Sequence, residues 1–220
     1  MHFARLLVLS TLTAALAAPA AAQAVTLEPL GACYRSVDET TRETVRVQAA
    51  GFTPGAPVNV SIDGVVVQSD VLALPDGTVS GNVNAPYLRR GVRPFALTVT
   101  ERDRPENTAT TRSRVAALSV QLQPREAKPS RRVRFLGRGF VDGAEVYGHY
   151  LRRGELRKTV LLGRSEGPCG RLHARHRQIP VRSPKTGRWT LQVDNQPQYD
   201  PQPPGVFVRV AITVKRVLTQ

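Results

Sequence analysis

Short runs of alternating apolar and polar residues fill the chain after residue 24, and Gly, Pro, Asp or Asn residues separate them. A period of two residues is typical of β-strands, because successive side chains then point to opposite faces of a sheet. The helical period is almost absent, so the pattern predicts an all-β protein. In the first half it predicts strands at 25–27, 44–49, 57–62, 65–72, 78–84, 95–100 and 108–118. Short strands at this spacing are typical of an immunoglobulin-like sandwich.

The second half repeats the plan of the first. The dipeptide Gly-Phe stands at 51–52 and again at 139–140, at an offset of 88 residues. Further on, GRWTLQV at 187–193 resembles GTVSGNV at 77–83, where the offset is 110. This alignment predicts about 22 extra residues in the second copy between the two points. It also predicts that the last strand, at 206–214, matches the strand at 95–100 of the first copy.

The repeated Gly-Phe opening is interpreted as structural. A glycine can adopt a positive φ at a bulge or corner, and the phenylalanine after it can cover the core. In the first copy Pro54-Gly55 follows, a pair that favours a tight turn. We predict two tandem immunoglobulin-like β-sandwich domains, at residues 25–118 and 119–220.

These motifs carry a resemblance to a known class. GFTPGAPVNVSIDGVVV, LPDGTVSGNVNAP and NTATTRSRVAAL, within residues 44–118, resemble the tandem immunoglobulin-like repeats of secreted and surface proteins of bacteria. Over 118–217 the resemblance is weaker, because Asp142 stands where the motif has proline. The resemblance implies a sandwich that serves as a spacer or binding module; it implies no enzyme and assigns no ligand residues.

The N-terminus predicts an exported protein. Residues 1–24 combine Arg5, a short apolar stretch and the small residues of Ala22-Gln23-Ala24, which is the pattern of a cleaved signal peptide. An uncleaved anchor and acylation at Cys33 are the alternatives. No later stretch is apolar enough to cross a bilayer, so the mature chain is expected outside the cytoplasm, secreted or held at the cell surface.

The excess of positive charge lies entirely in the second half. Residues 25–119 hold 10 Lys and Arg against 10 Asp and Glu, whereas residues 120–220 hold 20 against 7, a net charge of +13. Such asymmetry indicates a polyanionic partner for that half: an envelope or extracellular polymer, lipid headgroups or nucleic acid.

Three basic segments are the candidate binding residues. One is a strand, the second a hairpin at 152–158, and the third part of the predicted insertion. Guanidinium groups suit phosphate and carboxylate ligands. The predicted polyanion-binding residues are Arg132, Arg134, Arg152, Arg153, Arg157, Arg171 and Arg175. They form one surface only if the hairpin and the insertion lie beside the Arg132–Arg134 strand, and the alternative is a solvated exterior without a ligand.

The two cysteines, Cys33 and Cys169, favour a disulfide in an exported protein. Two free thiols or a bond between chains remain alternatives. Cys169, His173 and His176 also have the spacing of metal ligands, but the arginines around them would repel a cation, so neither metal nor cofactor is predicted.

A catalytic set is not evident. Residues 25–119 contain no histidine, and Asp194 and Asp200, beside a proline-rich stretch, are interpreted as turn residues. Trp189 alternates with Leu191 and Val193, so it is expected in the core.

The sequence favours a secreted, non-catalytic module that binds an anionic polymer through its second half. A spacer or protein-interaction module, with another surface protein as partner, is the alternative, and a secreted hydrolase is the less favoured third.

Overall fold

The computed structural model describes residues 24–215, so the predicted signal peptide lies outside the described residues except for Ala24. The regular secondary structure of residues 24–215 consists of β-strands only, which confirms the all-β prediction. No helix of residues 24–215 has the length and hydrophobicity needed to cross a membrane.

Eight strands form the first half. Seven of them correspond to predicted strands, and β2 was not predicted. They are β1 (Thr26–Leu27), β2 (Tyr34–Ser36), β3 (Thr44–Ala50), β4 (Pro57–Ile62), β5 (Val65–Leu72), β6 (Val79–Asn84), β7 (Val92–Glu101) and β8 (Arg104–Ala117).

Two sheets enclose the core of this half. One has the order β1-β3-β6 and the other the order β2-β8-β7-β4-β5. Strand β2 runs parallel to β8, and the other pairs are antiparallel. Alternate side chains of both sheets, among them Val45, Val60 and Leu97, fill the space between them. Two facing, mainly antiparallel sheets in this order are the architecture of an immunoglobulin-like sandwich.

Seven strands form the second half. They are β9 (Ser119–Gln123), β10 (Arg132–Arg138), β11 (Glu145–Arg152), β12 (Glu155–Arg164), β13 (Leu172–Arg177), β14 (Gly187–Asp194) and β15 (Phe207–Val214). The sheets β9-β10-β13 and β12-β11-β14-β15 face each other across a second core. Trp189 is buried in that core, as predicted, and its indole N–H donates to the carbonyl of Lys185 at 2.9 Å.

The Gly-Phe opening has the predicted structural role in both copies. Gly51 has φ 93° and Gly139 has φ 81°. A Cβ atom on Gly139 would lie only 2.9 Å from the Cα atom of Leu118, so a side chain does not fit there. Phe52 and Phe140 are buried in their respective cores.

The strand order corrects the alignment of the two copies. Strand β14 pairs with β11 and β15, which is the position of β7 between β4 and β8. The strand equivalent to β6 is therefore β13: Val45 pairs with Val83 at the register position where Val133 pairs with His176. Between these points the offset grows only from 88 to 93 residues, so the predicted 22-residue insertion is wrong. Likewise β15 corresponds to β8, not to β7 at 95–100.

The two halves are joined closely. Leu118 alone separates β8 from β9, and Cys33 and Cys169 form a disulfide between the halves, with their Cα atoms 5.3 Å apart. The predicted disulfide is therefore confirmed, and Cys169 is not available as a metal ligand. The division into separately folding domains at residues 118 and 119 stays a prediction.

Candidate functional site

The outer surface of the sheet β9-β10-β13 carries a cluster of exposed arginines. On β10 the apolar residues Val133 and Phe135 point into the core, and on β13 Leu172 does the same, so their neighbours point outward. We call this surface the arginine face. Its residues are Arg132, Arg134, Arg138, Arg171, Arg175 and Arg177.

The strand register places four of these six arginines opposite one another. Arg132 is paired with Arg177, and Arg134 with Arg175. Like charges directly opposite across a sheet destabilise it. The Arg132 guanidinium donates to the carbonyl of Arg175 at 3.0 Å, which holds it across the neighbouring strand.

The positive charge of the arginine face is not compensated. No acidic residue lies on β9, β10 or β13. The ion pairs found within residues 24–215 include none of the six arginines. His173 is also exposed on β13, and Gln121 and Gln123 are exposed on β9.

The face has a length and shape that a chain-like ligand can follow. Strand β10 has seven residues, which corresponds to roughly 23 Å at 3.3 Å per residue. Near one end lies a shallow depression of about 310 Å³, lined by Gln123, Pro124, Arg131, Arg132, Arg134 and Arg175.

The basic hairpin is not part of this surface. Arg152, Arg153 and Arg157 lie on the β11–β12 hairpin of the opposite sheet, whereas β10 is flanked on both sides by β9 and β13. The expected position beside the Arg132–Arg134 strand is therefore wrong. Two of these arginines also have local partners: Arg157 pairs with Glu155, and Arg152 donates to the carbonyl of Thr186 at 3.1 Å.

Two members of the arginine face, Arg138 and Arg177, were missed from the sequence. The signal was present, because both continue the alternation of β10 and β13 outward. What could not be read from the sequence is that β10 pairs with β13, because this pairing joins residues about 40 positions apart along the chain.

His173 and His176 do not form a metal site. They point to opposite faces of β13, as expected for a strand: His173 is exposed, and the ring of His176 packs edge-on against Phe135. The His176 Nε2 atom bonds the carbonyl of Leu162 at 2.8 Å. No group of three metal-ligating side chains occurs in the part of the chain that the structure describes.

A buried polar network was also missed from the sequence. His149 is 0% exposed and Asp194 is 1% exposed, and the His149 Nε2 atom lies 3.1 Å from the Asp194 carboxylate. The same nitrogen faces the carbonyl of Gln196 at 3.1 Å. Since both neighbours accept hydrogen bonds, Nε2 carries the proton. Asp194 and Asp200 each accept the predicted kind of turn hydrogen bond, from the backbone N–H of Gln196 at 2.9 Å and of Gln202 at 2.8 Å. What the sequence did not indicate is that Asp194 is also buried against His149.

This network fixes the loop between β14 and β15. Gln192 donates to the second Asp194 oxygen at 2.9 Å and to the carbonyl of Asp200 at 2.7 Å. The ring of Tyr199 packs near His149, with 5.7 Å between the ring centres. Because the loop covers it, the His149–Asp194 pair cannot contact a substrate, and we assign it a structural role.

No family model matches the chain, and no curated protein matches it. Several solved structures are similar over most of its length. The fibronectin(III)-like modules of Clostridium thermocellum CbhA are 14% identical, with 87% of this chain and 94% of that chain covered, at a TM-score of 0.27. Bovine butyrophilin is 12% identical, with 86% of this chain and 96% of that chain covered, at a TM-score of 0.31. The Bacteroides ovatus protein SGBP-B, solved with a mixed-linkage heptasaccharide, is 13% identical, with 88% of this chain and 48% of that chain covered, at a TM-score of 0.28. TM-scores this low carry no argument, so the immunoglobulin-like assignment rests on the order of the strands in the two sandwiches.

Proposed function

We propose that this protein is an exported, non-catalytic module that binds an anionic polymer of the cell envelope or extracellular matrix along the arginine face. The observation that carries the proposal is the direct opposition of Arg132 with Arg177 and of Arg134 with Arg175, without an acidic partner on the same sheet. A ligand that supplies closely spaced negative charges removes this repulsion. A linear polymer with phosphate or carboxylate groups supplies such charges, and guanidinium groups bind both in bidentate geometry.

Export is supported by two features. The signal-peptide pattern at residues 1–24 is one. The Cys33–Cys169 disulfide is the other, since disulfides persist in oxidising compartments outside the cytoplasm.

The test compares two triple variants of the full mature chain. In the face variant, Arg132, Arg134 and Arg175 are replaced by Gln; in the hairpin variant, Arg152, Arg153 and Arg157 are. Both lose the same charge, so a difference between them reports position and not total charge. We expect the face variant to leave a heparin column at clearly lower salt than the wild type, and the hairpin variant to leave it close to the wild type.

The salt dependence gives a second readout of the same experiment. Each guanidinium–anion contact that is lost reduces the slope of log Kd against log salt concentration by roughly one. The face variant should therefore lose roughly two to three units of slope in binding to heparin, and the hairpin variant less than one. Equal losses in both variants would mean that only the net charge of the second half attracts the polymer.

One observation favours the alternative, a protein-interaction module. Strand β5 is an edge strand of the five-stranded sheet, and its residues Val65, Val66 and Val67 are exposed by 66%, 53% and 46%. An exposed apolar edge strand can pair with a strand of a partner protein. Under this alternative neither arginine variant changes the retention on heparin.

A further inference from the structure

A cleft lies where the two halves meet. Its volume is about 780 Å³, which is in the range of small-molecule sites in proteins, roughly 300–1,000 Å³. The first half contributes Val92 of β7 and Arg114 of β8, and the second half contributes the remaining wall. Its lining residues are Val92, Arg114, Arg138, Arg164, Glu166, Gly167, Pro168, Cys169, Arg171 and His173.

Four arginines and one histidine line this cleft, against one carboxylate, that of Glu166. Among the ion pairs of residues 24–215, Arg114, Arg138 and Arg171 have none, and Arg164 reaches Glu145 only at 4.0 Å. Glu166 has none either, so the guanidinium groups of the cleft are not neutralised from within. Positive groups converging on a concave surface focus the electrostatic field and attract anions.

The disulfide holds the wall of the cleft in place. Cys169 and Pro168 belong to the lining, and Cys33 ties them to the first half. Backbone hydrogen bonds add to this: the carbonyl of Cys169 accepts from the N–H of Gly139 at 2.9 Å. Gly170 follows with φ 52°, and a Cβ there would lie 1.8 Å from the carbonyl oxygen of Phe140, so the segment can approach only as glycine.

We infer that this cleft is a second binding site, for a compact oxyanion with two or more negative charges such as a phosphate monoester or a pyrophosphate group. Several guanidinium groups lining one open cleft suit a ligand whose charges are concentrated on a few oxygens. Since Arg138 and Arg171 belong both to the cleft and to the arginine face, the cleft also lies at the end of that face. The cleft proposal does not depend on polymer binding, because Arg114 and Arg164 lie outside the face.

The probe is inorganic pyrophosphate, titrated into the full mature chain in a calorimeter at low salt. The test variant is Arg114→Gln and the matched control is Arg112→Gln, which removes an exposed arginine from the same strand but not from the cleft. The loss of one charged hydrogen bond, worth about 1.5–3 kcal/mol, corresponds to a tenfold or greater loss of affinity. We expect this loss for Arg114→Gln, and a change within about twofold for Arg112→Gln.

A heparin column separates the two proposals. The face variant should lose retention on heparin, whereas Arg114→Gln should elute with the wild type. If pyrophosphate does not bind the wild-type chain, or if the Arg112 and Arg114 variants bind it equally, the cleft proposal is overturned. Neither result affects the polymer proposal, which the heparin retention of the face and hairpin variants tests separately. Titration with glucuronate, a monovalent carboxylate, should give clearly weaker binding than pyrophosphate; equal binding would contradict the assignment to multiply charged oxyanions.

Discussion

Replacement of both cysteines by serine is expected to lower the free energy of unfolding by about 4–5 kcal/mol. The bond joins residues 136 positions apart and so closes most of the described chain into one loop. In the chain-entropy model a loop of this size restricts the unfolded chain and thereby stabilises the folded one. The bond also crosses between the halves, so its loss removes the one covalent tie between them other than the backbone at Leu118.

Urea denaturation followed by fluorescence measures this loss. The single tryptophan, Trp189, is buried in the second core and reports its unfolding. Wild-type protein in excess reductant is the control and should unfold at the midpoint of the serine variant. Thiol titration of the denatured, unreduced wild type should find no free thiol. An unchanged midpoint would show that the bond does not restrict the unfolded chain as the model assumes.

Replacement of Asp194 by alanine is expected to lower the free energy of unfolding by about 3–5 kcal/mol at neutral pH. The change removes the acceptor of three hydrogen bonds, which come from the buried Nε2–H of His149, the buried amide of Gln192 and the half-buried backbone N–H of Gln196. His149 and Gln192 each keep only one backbone carbonyl as acceptor, that of Gln196 and that of Asp200. Buried polar groups that lose their partner retain the full cost of desolvation. Asp200→Ala is the matched control, since that side chain accepts a single turn hydrogen bond, and its cost should be about 1 kcal/mol.

The pH dependence identifies the source of this loss. Burial acts to raise the pKa of Asp194, but hydrogen bonds from His149, Gln192 and Gln196 outweigh it and hold the pKa below its ordinary value of 3.8. As the pH falls below 3.8, the Asp194 carboxyl of the unfolded chain takes up a proton while that of the folded protein stays ionised, and this favours unfolding. The stabilisation by the charged carboxylate is therefore present above pH 3.8 and is lost as the pH falls through the folded-state pKa. The difference between wild type and Asp194→Asn in urea midpoint should therefore shrink below pH 3.8. A difference that is constant from pH 7 to pH 3 would contradict a role for the charged carboxylate.

The strands and turns of the fold could be predicted from the local sequence pattern, but which strands pair with each other could not. The strand at 57–62 and the turn at Asp63-Gly64 follow from alternation and turn chemistry, and the structure has both, with positive φ at each turn residue. The sequence GRWTLQV was aligned with the wrong strand, because strands that face the core from either sheet show the same alternation. Only pairing between distant residues distinguishes them.

The candidate site, likewise, could be predicted where it depends on local pattern and not where it depends on strand pairing. Arg132 and Arg134 could be placed on one outward face from their spacing alone, and the structure places them so. That Arg175 joins them while Arg152 does not depends on which strand flanks β10. The His149–Asp194 pair joins residues 45 positions apart, and nothing in the sequence near Asp194 indicates that a loop covers it.

Polymer binding along the arginine face is tested most directly by measuring which arginines a bound polymer protects from chemical modification. The full mature chain is treated with phenylglyoxal with and without heparin, and the modified arginines are measured by mass spectrometry. We expect heparin to slow the modification of Arg134, Arg175 and Arg177, whereas Arg153, on the hairpin of the other sheet, should react at the same rate with and without heparin. Equal protection of Arg153 and Arg134, or protection of Arg153 alone, would contradict polymer binding along the arginine face.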